Sequence, residues 1–390
     1  MSNQFDFSDI APFGDDEFKS KMAQLVNEPG FEHAVKYVMP DVNFPEFVNM
    51  LLQVPDNDTF QHQVMYPFLQ MLISRTTAGV TVGGLENVKT DRSYTFMSNH
   101  RDIVLDASLL NYCFLVNNLP TSEIAIGNNL LIYEWITDLV KLNKSFIVKR
   151  NLRMTQALEA AHQLSAYIHY AINTKRESVW IAQREGRAKD SNDVTQESLV
   201  KMLGLEGGKD FTGNIEDINV VPVAISYEYD PNDYLKAKEF LMRKLNPDFK
   251  KSQHDDLLSM ETGLLQPKGR VHFQIGECIT ADVAALSAEL DKVEAVKSIC
   301  AMIDCSIHSN YKIYPINYVA YDKLHEGDRF SSEYTQEEAM AFEKYVECQL
   351  DKVELDDVSK IDRDFMREMM FAMYANPLRN KLAALQGRCN

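Results

Sequence analysis

No stretch of this 390-residue sequence approaches the roughly 20 consecutive apolar residues that a bilayer-spanning helix needs. The opening MSNQFDFSDIAPFGDDEF lacks the basic-then-apolar order of a signal peptide, so the expectation is a cytoplasmic chain. Basic residues are in deficit: 40 Lys and Arg against 57 Asp and Glu give a formal charge of -17, which opposes nucleic acid as a partner across most of the surface. The six cysteines follow no regular framework, which fits reduced thiols, and C-x4-C-x2-H at Cys300, Cys305 and His308 lacks an evident fourth ligand, so it reads as helix packing with no metal site. No G-x-S-x-G elbow is present to support a serine nucleophile. GLEGGKD at 204–210 fails the spacing of a phosphate loop, because position 210 is Asp where Ser or Thr is required. No internal repeat or low-complexity tract interrupts the chain.

What is present is 45% hydrophobic content, enough for a sizeable buried core. Residues 1–77 read as a helical region of short helices broken by Pro40, Pro45 and Pro55. From Gly79 the pattern changes to short β-branched or aromatic runs alternating with longer helical ones: GVTVGGLENV, SYTFMSN, SFIVKR, SVWIAQ, INVVPVAISYEY and RVHFQIGECIT. That alternation predicts an α/β domain over 78–325, a mixed, largely parallel sheet flanked by helices. Within it, the charged segment 230–268 reads as an insertion. Helical pattern covers TADVAALSAELDKVEAVKSICAMI and returns in a C-terminal region, 326–390.

Three strand ends carry the polar chemistry. SYTFMS runs into Asn99-His100-Arg101, placing a histidine at a strand-to-helix junction, the address where open α/β sheets bind ligands. Asp102 and Asp106 follow; Asp102 is suited to capping the new helix, and Asp106 to its first turn. KLNKSFIVKRNLR at 141–153 holds five cations and no acid, with Lys149 and Arg150 directly after a strand. VWIAQREGRAKD supplies Arg184, Glu185, Gly186, Arg187 and Lys189 after a third strand. A histidine and several cations facing one crevice suit an anionic substrate, since guanidinium groups bind phosphate through paired hydrogen bonds.

In this order the blocks SNHRDIVLDASLL, SFIVKR, REGRAK and NVVPVAI resemble the glycerolipid acyltransferase family, which includes glycerol-3-phosphate and 1-acylglycerol-3-phosphate acyltransferases and is known for an H-x4-D motif. The similarity runs over roughly residues 78–320. It implies an O-acyltransferase that moves a fatty acyl group from acyl-CoA or an acyl carrier protein to a hydroxyl of the phosphorylated acceptor in phospholipid synthesis. His100 would serve as general base, with Asp106 or, alternatively, Asp102 orienting its ring. Lys149, Arg150, Arg187 and Lys189 would hold the acceptor phosphate, supported by Asn99, Arg101, Arg184, Glu185, Gly186 and Pro222. The missing donor of Pro222 suggests an edge strand or a bulge near the crevice.

The resemblance implies no cofactor beyond the thioester co-substrate, and a peripheral attachment to the inner face of a membrane. Two departures stand out. Five residues, not four, separate His100 from Asp106, and Arg184 occupies the family's glutamate position. These leave open a transferase for another acceptor, such as an amino-acid lipid, and a non-catalytic lipid-binding relative.

Overall fold

A computed structural model describes residues 5–286, 290–355 and 357–388. Residues 287–289, within the helical pattern that begins near Thr280, and Cys389 lie outside the described residues. Among the described residues seven strands form one sheet: β1 Val80–Gly83, β2 Thr95–Ser98, β3 Ser122–Gly127, β4 Ser145–Val148, β5 Ser178–Ala182, β6 Val220–Tyr227 and β7 Val271–Ile275, in the order β1-β7-β6-β2-β5-β3-β4. All neighbours pair parallel except β6 and β7. The strands β2 to β6 therefore run one way, and helices cover both faces of the sheet, as a largely parallel sheet requires.

Sequence and structure part company at β3. SEIAIG carries Glu123 as its second residue, and an acid there hides the strand in the pattern. In the fold Glu123 is buried and ionically satisfied, its carboxylate accepting from the Tyr167 hydroxyl at 2.5 Å and pairing with Lys175. Pro222 is a second difference. It sits on an interior strand between β2 and β7, opposite Met97, rather than at an edge. Its carbonyl still accepts from Gly276 at 2.8 Å, and the ladder of β6 with β7 starts only at Val223, so the absent donor falls at the last rung. Pro45 opens the helix Phe44–Leu51 within its first turn, where a missing N–H costs nothing.

Among the described residues the core divides into four apolar clusters. Two flank the sheet, one around Tyr167, Ile181 and Ile303, the other around Phe96, Phe114 and Phe273. A third gathers Phe18, Phe31, Phe44 and Leu142, fastening the N-terminal helices to the helix Glu134–Leu142. The fourth packs the helices Pro315–Leu324, Gln336–Leu350 and Arg363–Leu385 together with Leu241 of the helix Asp233–Leu245. The segment read as an insertion thus joins the C-terminal helices through Asp233–Leu245, while its other helix, Gln253–Leu265, lies over the sheet's carboxyl edge. Of the cysteines, Cys113, Cys278, Cys300 and Cys348 are free, but Cys305 is disulfide-bonded, so the reading of all six as reduced thiols fails at that position.

One residue fixes where β2 ends. Asn99, fully buried, uses its side-chain amide as an extra rung of the ladder: Nδ2 donates to Ile225 O at 2.9 Å and Oδ1 accepts from Ile225 N at 2.8 Å. Removing a partner from two buried backbone groups costs about 1 to 3 kcal/mol each. Asn99→Ala is therefore expected to destabilise the fold by about 2 to 6 kcal/mol, read from urea unfolding; a change below about 1 kcal/mol would show that water replaces the amide at no cost.

Candidate active site

At the carboxyl end of β2 the chain turns sharply into the helix Leu105–Val116. His100 Nδ1 and Asp106 Oδ2 lie 2.8 Å apart. The same oxygen accepts from the backbone N–H of Arg101 at 2.6 Å and of Asp102 at 3.0 Å. With Nδ1 committed to the carboxylate, His100 presents Nε2 to the cavity that it lines. Trp180 of β5 packs edge-on to the imidazole, 5.8 Å between centroids, and its Nε1 donates to Ser98 Oγ at 3.0 Å. The ring is thus fixed in position and left open on one side.

Asp102 does something else. Its Oδ1 accepts from Val104 N and Leu105 N at 2.9 and 2.8 Å, which caps the new helix. Burial, with the Asp106 charge second, pushes its carboxyl above the usual range. Gly263 of the overlying helix makes room for it, since a Cβ there would come within 2.0 Å of Asp102 Oδ2. The extra residue between His100 and Asp106 is absorbed in the turn, before regular helix begins at Leu105.

Arg101 points away from the cavity. Its guanidinium pairs with buried Asp193 at 2.8 Å and stacks over Tyr311 at 5.6 Å. Burial works against its charge, but Asp193 and its neighbours hold it firmly protonated. Behind it, the buried ammonium of Lys236 pairs with Asp230 and reaches Arg101 O at 3.4 Å.

The cation-bearing segments meet at one rim. Lys149, Arg150, Arg184, Glu185, Gly186, Arg187 and Lys189 all line the cavity that His100 lines. They are not equivalent. Lys149 is paired with Asp9 and donates to Gln163 at 2.9 Å. Arg150 faces Glu185 at 3.7 Å and threads past Gly127, where a Cβ would meet its Nε at 2.8 Å. Arg187, only 6% exposed, has no hydrogen bond or ion pair among the described residues, and its Nη1 is buried without a partner. Lys189 pairs with Glu239 at 3.3 Å. Burial, then the charge of Arg187, lowers its ammonium to about 7. Gly186 adopts a φ of +69°, a backbone geometry that side chains disfavour, which turns the segment so that Arg187 faces inward. Pro222 does not line the cavity.

That cavity holds about 1710 Å³, beyond the roughly 300 to 1000 Å³ of common small-ligand pockets. Away from the strand ends its walls are apolar, drawn from the N-terminal helices (Phe31, Val35, Met71), from Leu139 and Leu164, and from Leu257 and Leu264 of the roofing helix. Sequence reasoning missed that roof and missed Tyr227. The Tyr227 hydroxyl is buried at the end of β6, held protonated by burial first and by the nearby Asp106 charge second. Its only signal in the sequence was the continuation of a strand, which does not reveal the neighbour. Among the described residues no group of three or more His, Cys, Asp or Glu side chains could hold a metal ion, and no helix is long and apolar enough to cross a membrane.

Residues 79–226 match the family model described as Acyltransferase. Among solved structures, the 1-acyl-sn-glycerophosphate (LPA) acyltransferase PlsC from Thermotoga maritima is similar, at 14% identity over 73% of this chain and 94% of that chain, with a TM-score of 0.36. No curated protein sequence matches the chain.

The geometry separates the two aspartates by function. Asp106→Asn presents an amide donor to Nδ1 and favours the wrong tautomer, so turnover should fall about a thousandfold or more with the fold intact. Asp102→Asn keeps a capping oxygen and should cost far less. Comparing kcat of the two folded variants checks this; the reverse order would transfer the orienting role to Asp102.

Proposed function

We propose that this chain, a member of the acyltransferase family, transfers a fatty acyl group from a thioester to a hydroxyl of glycerol-3-phosphate or 1-acylglycerol-3-phosphate. The observation that carries the reading is the meeting, at one end of a large apolar cavity, of the His100–Asp106 pair with an unpartnered buried guanidinium at Arg187. An apolar chain fills the cavity, and the phosphate of the acceptor pairs with Arg187 and Lys189. Lys149 and Arg150, already neutralised by Asp9 and Glu185, contribute less.

The step needs no acyl-enzyme. His100 Nε2 takes the proton of the acceptor hydroxyl as its oxygen attacks the thioester carbonyl. Asp106 stabilises the imidazolium that forms. The tetrahedral intermediate collapses, the C–S bond breaks, and the imidazolium returns the proton to the departing thiolate. Ester and free thiol are the products, and the histidine is regenerated. The apolar walls keep water from competing for the acyl group.

The direct test offers acyl thioester together with glycerol-3-phosphate, 1-acylglycerol-3-phosphate or an amino-acid lipid, and identifies products by mass. Expected is a phosphate-bearing ester with the wild-type protein and none with His100→Ala. Acylation of the amino-acid lipid alone would overturn the acceptor. Thioester left intact by every acceptor would favour a binding protein without chemistry.

Two further outcomes follow from the cations. Arg187→Gln should raise KM for the phosphorylated acceptor by roughly one to two decades, the usual worth of a charge-assisted hydrogen bond, with little effect on hydrolysis of the thioester by water. Lys189 loses its proton as pH rises through about 7, while a bound phosphate favours the charged form. Acceptor KM should therefore rise between pH 7 and 8.5, and Lys189→Arg, which stays charged, should flatten that profile. A KM independent of pH in the wild type would remove Lys189 from the phosphate site.

A further inference from the structure

We propose that the hydroxyl of Tyr227 is a third member of the His100–Asp106 pair, donating to Asp106 Oδ1 and so fixing the carboxylate that orients the imidazole. The proposal rests on the acyltransferase reading and adds a positioning residue to it. Asp106 is unevenly served. Its Oδ2 accepts from the His100 ring and from two backbone N–H groups, while Oδ1 is buried with no hydrogen-bond partner among the described residues. Tyr227 is the converse case: its hydroxyl is buried and also has no partner among them. A buried donor and a buried acceptor are each costly to leave unmet, and a site that holds both is relieved by joining them.

The fold brings the two residues together. β6 runs beside β2 and continues past its end: Ser98, the last residue of β2, lies opposite Val223, and beyond it the Asn99 amide bonds to the backbone of Ile225. Two residues further along β6 is Tyr227, beside the turn that carries His100. Val223, Ile225 and Tyr227 alternate onto one face of the sheet, in the same apolar cluster as Leu105, Ala107 and Leu109. Those three belong to the helix whose first turn carries Asp106. Burial first, then the charge of Asp106 ahead of those of Asp102 and Asp230, keeps the Tyr227 hydroxyl protonated well above the ordinary tyrosine range. It is therefore a donor at any working pH.

Asp102 is the rival acceptor, since its Oδ2 also lacks a partner. That oxygen faces the roofing helix, where a Cβ on Gly263 would come within 2.0 Å of it, and the charges of Arg187 and Lys268 act on Asp102. Asp106 Oδ1 is the acceptor left to Tyr227. The benefit passes to the imidazole. A carboxylate held by one oxygen is free to swing about it, and an unmet buried lone pair favours the protonated form, which does not steady an imidazolium. A hydroxyl on Oδ1 fixes the plane of the group and preserves its charge. Tyr227 does this without touching substrate, because it does not line the cavity.

Tyr227→Phe removes the hydroxyl and keeps the ring in its cluster. Expected is a kcat lower by roughly ten- to a hundredfold, the usual worth of a hydrogen bond to a charged group, with KM for both substrates unchanged. Tm should fall, whereas a hydroxyl that met no acceptor would leave the variant as stable as the wild type or more so. A double-mutant cycle identifies the partner. With Asp106→Asn already in place, Tyr227→Phe should lower kcat by less than about threefold, while beside Asp102→Asn it should keep its full effect. Wild-type kcat in Tyr227→Phe, a loss confined to KM, equal losses with and without Asp106→Asn, or coupling to Asp102 instead would each overturn the role of Tyr227 and leave the acyltransferase standing. A wild-type protein that consumes no thioester would bring down both.

Discussion

A single carboxylate oxygen organises the site. Asp106 Oδ2 accepts from the His100 ring and from two successive backbone N–H groups, Arg101 and Asp102. A buried carboxylate is costly unless its lone pairs are met; three donors at the start of a helix meet those of Oδ2, while Oδ1 is buried without a hydrogen-bond partner, and the helix dipole favours the charge. The arrangement is self-consistent: the turn must be tight for both amides to reach one oxygen, and that tightness brings the imidazole to the same point. Nδ1 is thereby committed and Nε2 is the nitrogen left for a substrate.

The turn is also clamped from outside. Asn99 ties it to β6, Arg101 ties it to Asp193, and Lys236 reaches the Arg101 carbonyl from a helix that packs with the C-terminal bundle. That bundle takes part directly. Tyr374 and Tyr345 donate to Asp233 at 2.7 and 2.8 Å, and the N–H of Asp230, the partner of Lys236, donates to the Tyr374 hydroxyl at 3.1 Å. Burial pushes the Asp233 carboxyl up to about 7, which these hydroxyl donors only partly oppose. Losing one member of such a buried network leaves a charge without its partner, so its parts stand or fall together.

Much of this was legible in the sequence, and the reasons differ by residue. The histidine at a strand end, the glycine turn before Arg187 and the alternation of strands with helices are local features, and local features survive in a linear string. Which aspartate meets His100 was not fixed by spacing, because Asp102 and Asp106 sit on the same turn; the answer depends on where helix begins. The strand β3 was hidden by Glu123, whose burial makes sense only beside Tyr167 and Lys175, far away in sequence. The acids that pair with the basic segment, Asp9, Asp58 and Glu177, come from elsewhere in the chain, so its pairing is not written in its own spacing. Charge counted along a sequence says little about charge presented to a partner.

On the proposed reading, the same contrast lets one cavity serve two unlike substrates. Cations neutralised by distant acids become structure; Arg187 and Arg184, which have no ion pair among the described residues, are left facing the cavity. Arg187 is buried and Arg184 half-buried, and the His100 imidazole faces the same space. The apolar walls come largely from outside the strand ends, from the N-terminal helices and the roofing helix Gln253–Leu265. An amphiphile entering such a space is sorted by its own polarity, with tails against the apolar helices and phosphates against the strand ends. On the proposed reading, that sorting aligns donor carbonyl and acceptor hydroxyl at His100, so the barrier is lowered by placement before any proton moves.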